Sequence, residues 1–502
     1  MSRYDELISF LQQKGFIWGP EPEIYGGLAG FYTYAPLGKL LKNNVENEIR
    51  KFYQKNNFWE VECPTIMQKE VWNASGHLGG FTDPVITCSK CKSNFRVDNL
   101  LQEMFPNENF EHKTSKDYLD FIEKHKIKCP SCKSDFAKEI KQHSLMMKTT
   151  IGLDIEAYNR PETATTTYLP FLRYFDFFRK KLPFAVFQIG KAYRNEISPR
   201  QHVMRCREFT QAEAQLFIFK EQKNKFEKYE EIKNNKLPLW PWQFQEKNQE
   251  PKPSSVKEAV EKGYFKNQAY AWCVDAAYSL LRQIGFPESS LRLRQHFPDE
   301  KAFYAEDAWD IEVKLNTFGW FELCGIHDRT DYDLKQHSKA SGKELKAFNE
   351  ETGNKDEVPH IIEIAFGSDR PTFALLDLFY EKSDKEEGKT LFKIPIHMAP
   401  VKAAIFPLMN KDELPEIAKN IYNDLQKEFA CRYDSAGSIG KRYLREGESG
   451  TPFCITVDYD SAKNKDVTVR FRDTEEQKRI KIDKLKDTLR KLLDKEIEFS
   501  KI

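Results

Sequence analysis

The segment from Phe184 to Phe219 constrains this chain most. It reads FAVFQIGKAYRNEISPRQHVMRCREFTQAEAQLFIF, two strand-like runs joined by a polar loop near 197–204. Alternate residues of a strand point to one side. Arg194 and Glu196 are therefore expected on one face of the first run. In the second run Arg205, Arg207, Phe209, Gln211, Glu213 and Gln215 fall together, opposite a small and mostly neutral face of Cys206, Glu208, Thr210, Ala212, Ala214 and Leu216. The polar face is ordered: arginines first, then an aromatic ring, then an amide and a carboxylate. At roughly 3.4 Å per residue, Phe209 and Glu213 stand ~13 Å apart. That spacing suits a ligand with an anionic middle, a flat base and a cationic end. The alternative is an exposed hairpin with its charges in solvent, which the isolated Phe209 argues against.

A chain of 502 residues has room for two or three domains. With 40% hydrophobic residues and a net charge of +1 it is globular, and any polyanion site must be a local patch. No apolar run approaches a membrane span, and MSRYDELISFLQQKGF reads as an amphipathic helix without a signal-peptide core. A cytoplasmic protein with no membrane contact is expected. Of ten cysteines, four lie in CSKCKSNF (Cys88, Cys91) and CPSCKSDF (Cys129, Cys132), two copies of one turn. In a large cytosolic chain such pairs favour metal over disulfide or redox use. Two thiolates from each turn complete a tetrahedral zinc site, structural because no position remains for a catalytic water. The long segment between the pairs implies an inserted lobe.

Along the chain, Pro36 opens a helix striped by Leu37, Leu41, Val45, Ile49 and Phe52. The strand FWEVECP follows, an edge strand closed by Pro64. This pair is either a dimer surface or ordinary core. Arg160-Pro161-Glu162-Thr163 precedes a helix expected to run through Leu172, Phe175 and Phe178, where Glu162 could simply be a first-turn carboxylate. Residues 221–260 read as a solvated excursion or, alternatively, an RNA-contacting arm, and 256–284 as one amphipathic helix. Strands are expected in LRLRQH, AWDIEVKL and FGWFELCGI. In the last, Glu322 should share a face with Trp320 and Cys324, either paired structurally or waiting for a cation. HIIEIAFG runs into Ser368-Asp369-Arg370-Pro371 and a helix, an arrangement suited to an anion. Residues 381–390 read as a linker, and the remainder as an α/β domain.

The hairpin resembles motif 2 of class II aminoacyl-tRNA synthetases, through Tyr193-Arg194-Asn195-Glu196 and Arg205 to Phe209. FWEVECPTI resembles motif 1 and GSDR at 367–370 resembles motif 3. EIYGGLAGFYTYAPLG, FRVDNLL, RPETA, CREFTQAE, GWFELCGIHDRTDYDL and GTPFCITVDYD are similar to homodimeric glycyl-tRNA synthetases, on the archaeal and eukaryotic side of that family. The resemblance implies an α+β fold, an antiparallel catalytic sheet flanked by helices, with a zinc-binding insertion and a C-terminal α/β anticodon-binding domain. Residues 1–85 and 141–390 would be catalytic (221–290 inserted), 86–140 the zinc lobe and 395–502 the anticodon domain. The implied activity is ATP-dependent attachment of glycine to tRNA(Gly) through glycyl-adenylate.

The same resemblance implies roles. Arg194 would hold the α-phosphate of ATP, Phe209 stack on adenine, Glu196 read its amino group, and Arg205 and Arg370 hold the outer phosphates. Asn195, Met204, Cys206, Arg207, Glu208, Leu323, Gly367, Ser368 and Asp369 would complete the nucleotide site. Glu322 and Glu363 would carry Mg²⁺. Glu162 and Glu213 would hold the glycine ammonium. Arg96, Thr210, Gln211, Ala212, Ile364, Ala365 and Phe366 would complete the glycine site together with Phe209, Glu363 and Gly367. Two positions depart from the family: Ala365 stands where it has serine, and Thr165 where it has glutamine. Rival readings are a class II synthetase for another small amino acid and a non-catalytic nucleic-acid-binding paralogue.

Overall fold

The hairpin lies inside a nine-stranded sheet in the computed structural model, which describes all residues except 1, 106, 107, 109, 111, 112, 200, 303 and 383–389. Its strands are β1 (Phe58–Glu60), β2 (Phe184–Tyr193), β3 (Glu208–Ile218), β4 (Lys236–Trp240), β5 (Lys252–Ser255), β6 (Leu291–Gln295), β7 (Asp307–Leu315), β8 (Gly319–Thr330) and β9 (His360–Gly367). Their spatial order is β5-β4-β6-β7-β8-β9-β3-β2-β1. Pairing is antiparallel except β4 with β6 and β2 with β1. The expected edge position of FWE is therefore met.

One face of the sheet is covered by α1 (Pro36–Lys55), α2 (Gln268–Ile284) and α3 (Asp369–Phe379). Pro36 sits at the first helical position of α1, where its missing N–H costs nothing. Leu37, Leu41, Val45 and Ile49 are buried, and Tyr53 rather than Phe52 completes the stripe, four residues past Ile49. Each such side chain contributes roughly 1.5–3 kcal/mol by leaving water. Ala212, Ala214 and Leu216 of β3 pack into this core, so the small face of the hairpin is small because helices lie on it.

Three expectations need correction. Residues 221–260 are not simply a solvated excursion, because β4 and β5 extend the sheet and bury Leu237, Leu239, Val256 and Ala259. The segment 256–284 forms two helices, Val256–Glu261 and α2, separated by Gly263 at φ 70 and restarted by Asn267, whose side chain caps the N–H of Tyr270. The helix after RPET is also split, into Ala164–Tyr168 and Phe171–Phe177, with Pro170 at the break. A proline there has no N–H to continue the first helix.

Two further units have their own cores. Thr82–Cys88, Asn94–Arg96 and Phe136–Ser144 form a three-stranded sheet over Ile86, Val97, Leu101 and Ile122. At the C-terminus, five strands in the order Cys431–Tyr433, Ala403–Pro407, Phe453–Val457, Asp466–Phe471 and Gln477–Lys481 carry a separate core of Ile405, Ile455, Val469 and Leu489. Most of the expected linker at 381–390 lies outside the described residues. Among the described residues no helix is long and apolar enough to cross a membrane.

Candidate active site

A cavity of about 250 Å³ opens on the sheet face away from α1, floored by β3, β8 and β9. Phe209, Gln211 and Glu213 line it in the strict alternation expected of β3. The arginines reach it differently. The strand starts only at Glu208, and Arg205 ends a 3₁₀ turn over His202–Met204. Arg207 turns away, donating to the carbonyls of Ala29 and Glu196 at 3.0 and 2.8 Å.

At the closed end three carboxylates converge: Glu162, Glu213 and Glu363. Glu213 is 3% exposed and accepts from Gln211 Nε2 at 2.8 Å and from the Thr163 hydroxyl. Burial, reinforced by Glu363 and Glu162, pushes its carboxyl up to about 8. Burial also works against ionisation of Glu162, but His77 (3.6 Å), Arg329 and the Thr165 hydroxyl (2.8 Å) outweigh it and hold it below the usual carboxylate range. Glu363 is lowered too: burial is overcome by Arg329 at 3.4 Å and His327 at 3.3 Å. The Tyr168 hydroxyl donates to it at 2.7 Å. An extra positive group entering here meets one carboxyl not yet committed to a cation, Glu213.

At the open end the Arg194 guanidinium lies 5.3 Å from the Phe209 ring centroid, and its Nε donates to the Pro161 carbonyl at 3.1 Å. Arg370 donates to the Glu322 carbonyl at 3.1 Å and pairs with its carboxylate at the same distance. Glu196, Met204, Arg205, Cys206, Leu323, Ala365, Phe366, Gly367 and Asp369 also line the cavity.

Several expected site residues point elsewhere. Glu208 pairs with Lys191 at 2.9 Å. The Thr210 hydroxyl accepts from Lys42 of α1 at 2.9 Å, and its N–H donates to Asp369 at 2.6 Å. Lys42 also pairs with Asp369 at 2.6 Å, and the Ser368 hydroxyl donates to Glu46. This buried network fixes the GSDR turn from beneath. Ala212 and Ile364 are core residues. Asn195 is held by its backbone, N–H to the Leu145 carbonyl. Arg96 pairs with Asp83 at 3.1 Å and Asp98 at 2.8 Å and lines a neighbouring cavity instead.

Strand β8 carries a bulge. Ile311 pairs with Cys324 while Glu312 pairs with Glu322, leaving Leu323 as the extra residue. Glu322 therefore lines the cavity with Gly325 and His327, and Cys324 is buried among core side chains. The expected shared face of Glu322 and Cys324 is thereby corrected. His327, Arg329 and Tyr304 also line the cavity. The period-two spacing of Gly325, His327 and Arg329 was a signal for the first two that the sequence reading did not use.

The joint magnesium assignment does not fit. Glu363 lies opposite His327, five residues along β8 from Glu322, and its carboxylate is already engaged by Arg329, His327 and Tyr168. The four cysteines do fit a metal. Their ligand atoms lie within 4.8 Å of one another, with Cys88 to Cys132 at 3.5 Å and Cys91 to Cys129 at 3.7 Å. A tetrahedron of about 2.3 Å metal–sulfur bonds requires sulfur–sulfur separations of about 3.8 Å.

Residues 402–492 match the family model described as the anticodon binding domain. The fold resembles that of a prolyl-tRNA synthetase from Cryptosporidium parvum (TM-score 0.58, 15% identity, 99% of this chain and 78% of that one). It also resembles a Cryptosporidium parvum threonyl-tRNA synthetase structure (TM-score 0.60, 18% identity, 97% and 96%). The fold is thus that of a class II aminoacyl-tRNA synthetase. Glycine--tRNA ligases are similar over nearly the whole chain: 38% identity with that of Methanocaldococcus jannaschii (98% of this chain, 99% of the relative) and 38% with that of Pyrococcus horikoshii (98% and 99%). The chain belongs to the glycine--tRNA ligase family.

Proposed function

We propose that this chain attaches glycine to tRNA(Gly) in two ATP-dependent steps. The observation that carries this reading is the polarity of one cavity, with three carboxylates enclosed at one end and Arg194, Arg205 and Arg370 around Phe209 at the other. Glycine offers an ammonium and no side chain. Glu213 and Glu162 take the ammonium, and exclusion of larger amino acids must come from lack of room beside the glycine Cα, since favourable contacts with one methyl are worth only about 1–3 kcal/mol. ATP enters with its base over Phe209 and its amino group toward Glu196, its α-phosphate at Arg194 and its outer phosphates at Arg205 and Arg370.

The glycine carboxylate oxygen attacks the α-phosphorus, a P–O bond forms, and pyrophosphate leaves with the electron pair of the broken bond. The terminal ribose hydroxyl of tRNA then attacks the glycyl carbonyl carbon, the carbon–oxygen bond to phosphate breaks, and AMP leaves with that electron pair while its phosphate takes up the hydroxyl proton. No side-chain nucleophile is needed. Placement and charge do the work. Glu322, once Arg370 turns to a phosphate, is the carboxylate that would hold magnesium at the open end, where the ion would supply charge neutralisation at the phosphates. Cys88, Cys91, Cys129 and Cys132 would hold zinc as a structural ion. A cytoplasmic homodimer joined near α1 and β1 completes the reading.

The test is pyrophosphate exchange with each of the twenty amino acids, followed by charging of total tRNA. Exchange with glycine alone, and charging of glycine acceptors, is expected. Exchange with alanine or serine but not glycine would sink the reading.

A further inference from the structure

Lack of room beside a glycine Cα has to be built from particular atoms, and one row of the sheet holds them. Across β3, β9, β8 and β7 the register aligns Glu213, Ala365, Gly325 and Asp310. The first three line the cavity. The two middle positions carry a methyl and no side chain at all, so the row is a trough with a carboxylate at either end. Neighbouring strands lie about 4.8 Å apart, which sets the width of each step along it.

His327 fills the glycine half of that trough. It sits two residues beyond Gly325 on the same face of β8, opposite Glu363. Its ring folds back over the glycine: a Cβ placed on Gly325 would lie 2.8 Å from the ring Cε1 and 3.5 Å from Nε2. The first of these distances is closer than carbon atoms of packed side chains approach, so only glycine at 325 leaves the ring its place. The ring is held there. Its Nδ1 lies 3.3 Å from the Glu363 carboxylate. The His296 ring stands edge-on to it, 6.1 Å between centroids, and is itself fixed by Asp310 at 2.8 Å.

One step of the row stays open, above the Ala365 methyl, between the Glu213 carboxylate and the imidazole. An ammonium on Glu213 puts the next carbon over that step. Hydrogens on this carbon fit, whereas a methyl or hydroxymethyl directed along the row runs into the ring. We propose that the His327 imidazole is the wall that confines this enzyme to glycine, refusing a side chain on Cα by contact, with Gly325 as the recess in which it stands. The proposal rests on the glycine reading above and names the group that does the refusing.

Two substitutions separate the bulk of the ring from its hydrogen bond. His327→Asn keeps an amide donor near the Nδ1 position and deletes most of the ring; His327→Phe keeps a ring and deletes the donor. Pyrophosphate exchange is measured with glycine and with L-alanine on the same preparation, so the ratio of the two kcat/KM values does not depend on the fraction folded. In His327→Asn the preference for glycine should fall about 10- to 200-fold, the range one methyl is worth in a fitted pocket. In His327→Phe the preference should stay within about threefold of wild type, because filled volume is what sets the contact. Unchanged preference in His327→Asn overturns the proposal. Equal relaxation in His327→Phe overturns it too, because the hydrogen bond to Glu363 would then set the selection. Loss of exchange with both amino acids in both variants also overturns it, since the ring would then serve the reaction and not the choice of substrate. Equal use of glycine and L-alanine by wild type leaves no wall and overturns it likewise. Failure of the wild-type chain to exchange with glycine would overturn the underlying reading instead.

Discussion

The two ends of the β3 face commit their charges in opposite ways. At the Phe209 end the arginines rest on backbone carbonyls, on a ring, or on Glu322, whose side chain is 45% exposed. These contacts are readily exchanged for phosphate oxygens. At the Glu213 end Glu213 and Glu363 are buried, Glu162 is 17% exposed, and all three are tied to threonine, tyrosine, histidine or Arg329. One end is built to let go of its partners, and the other to keep a fixed shape around a very small guest. A ligand with bulky, variable charge needs the first; a ligand with nothing but an ammonium and a carboxylate needs the second.

The contrast can be broken most sharply at Arg194. Arg194→Ala should reduce adenylate formation ~10²–10³-fold, the usual loss for one preorganised donor at a developing charge, with thermal stability unchanged; near-normal exchange would refute the assignment. Arg329→Met tests the fixed end. It leaves Asp333 and Glu363 without their buried partner, which should cost about 3–5 kcal/mol of stability in denaturant titration. A loss no greater than that of a surface substitution would mean that this end is not held by its ion pairs.

Glu213→Gln should lower kcat/KM for glycine by about 10- to 100-fold, matching a charge-assisted hydrogen bond of roughly 1.5–3 kcal/mol, while KM for ATP stays put. The same residue makes a pH prediction. A carboxyl raised from 4.5 to about 8 binds a proton in the fold that the unfolded chain has released, so its contribution to stability falls as pH rises from about 4.5 through 8. An ammonium guest favours the ionised form. Glycine binding near pH 7 should therefore release up to about one proton, read by calorimetry in buffers of different ionisation heat, and the release should vanish in Glu213→Gln. The smallest effect is expected at Thr165. Thr165→Val removes the hydroxyl that holds Glu162 and should raise KM for glycine by only a few fold, in line with about 1 kcal/mol for one hydrogen bond.

Much of this site was legible from strand alternation. Phe209, Gln211 and Glu213 point where a period of two puts them, because β3 is regular from Glu208 onward. Alternation failed where the chain leaves regular strand. Arg205 caps a 3₁₀ turn and Arg207 folds back on backbone carbonyls, so two residues of equal parity go to different places. Polar composition misled at 221–260, since two short strands on a sheet edge need few apolar side chains to be held. The GSDR turn was read as an anion site as a whole, yet only its Arg370 offers the open end a cation; Asp369 also lines the cavity but, like Ser368, is anchored from beneath, by Lys42 and Glu46 of a helix far away in sequence, which no local pattern could reveal.

The extra residue in β8 has a consequence for how this strand tolerates change. On one side of Leu323 the even-numbered Glu322 faces the cavity, and on the other side the odd-numbered Gly325, His327 and Arg329 do. An in-frame loss of that single codon would restore one parity along the whole strand, turning either Glu322 into the hydrocarbon interior or Gly325 and His327 away from the ligand. Substitution at Leu323 keeps the phase of the strand; deletion does not. The strand is spliced from two phases, and the reading frame of the protein's shape changes at that residue.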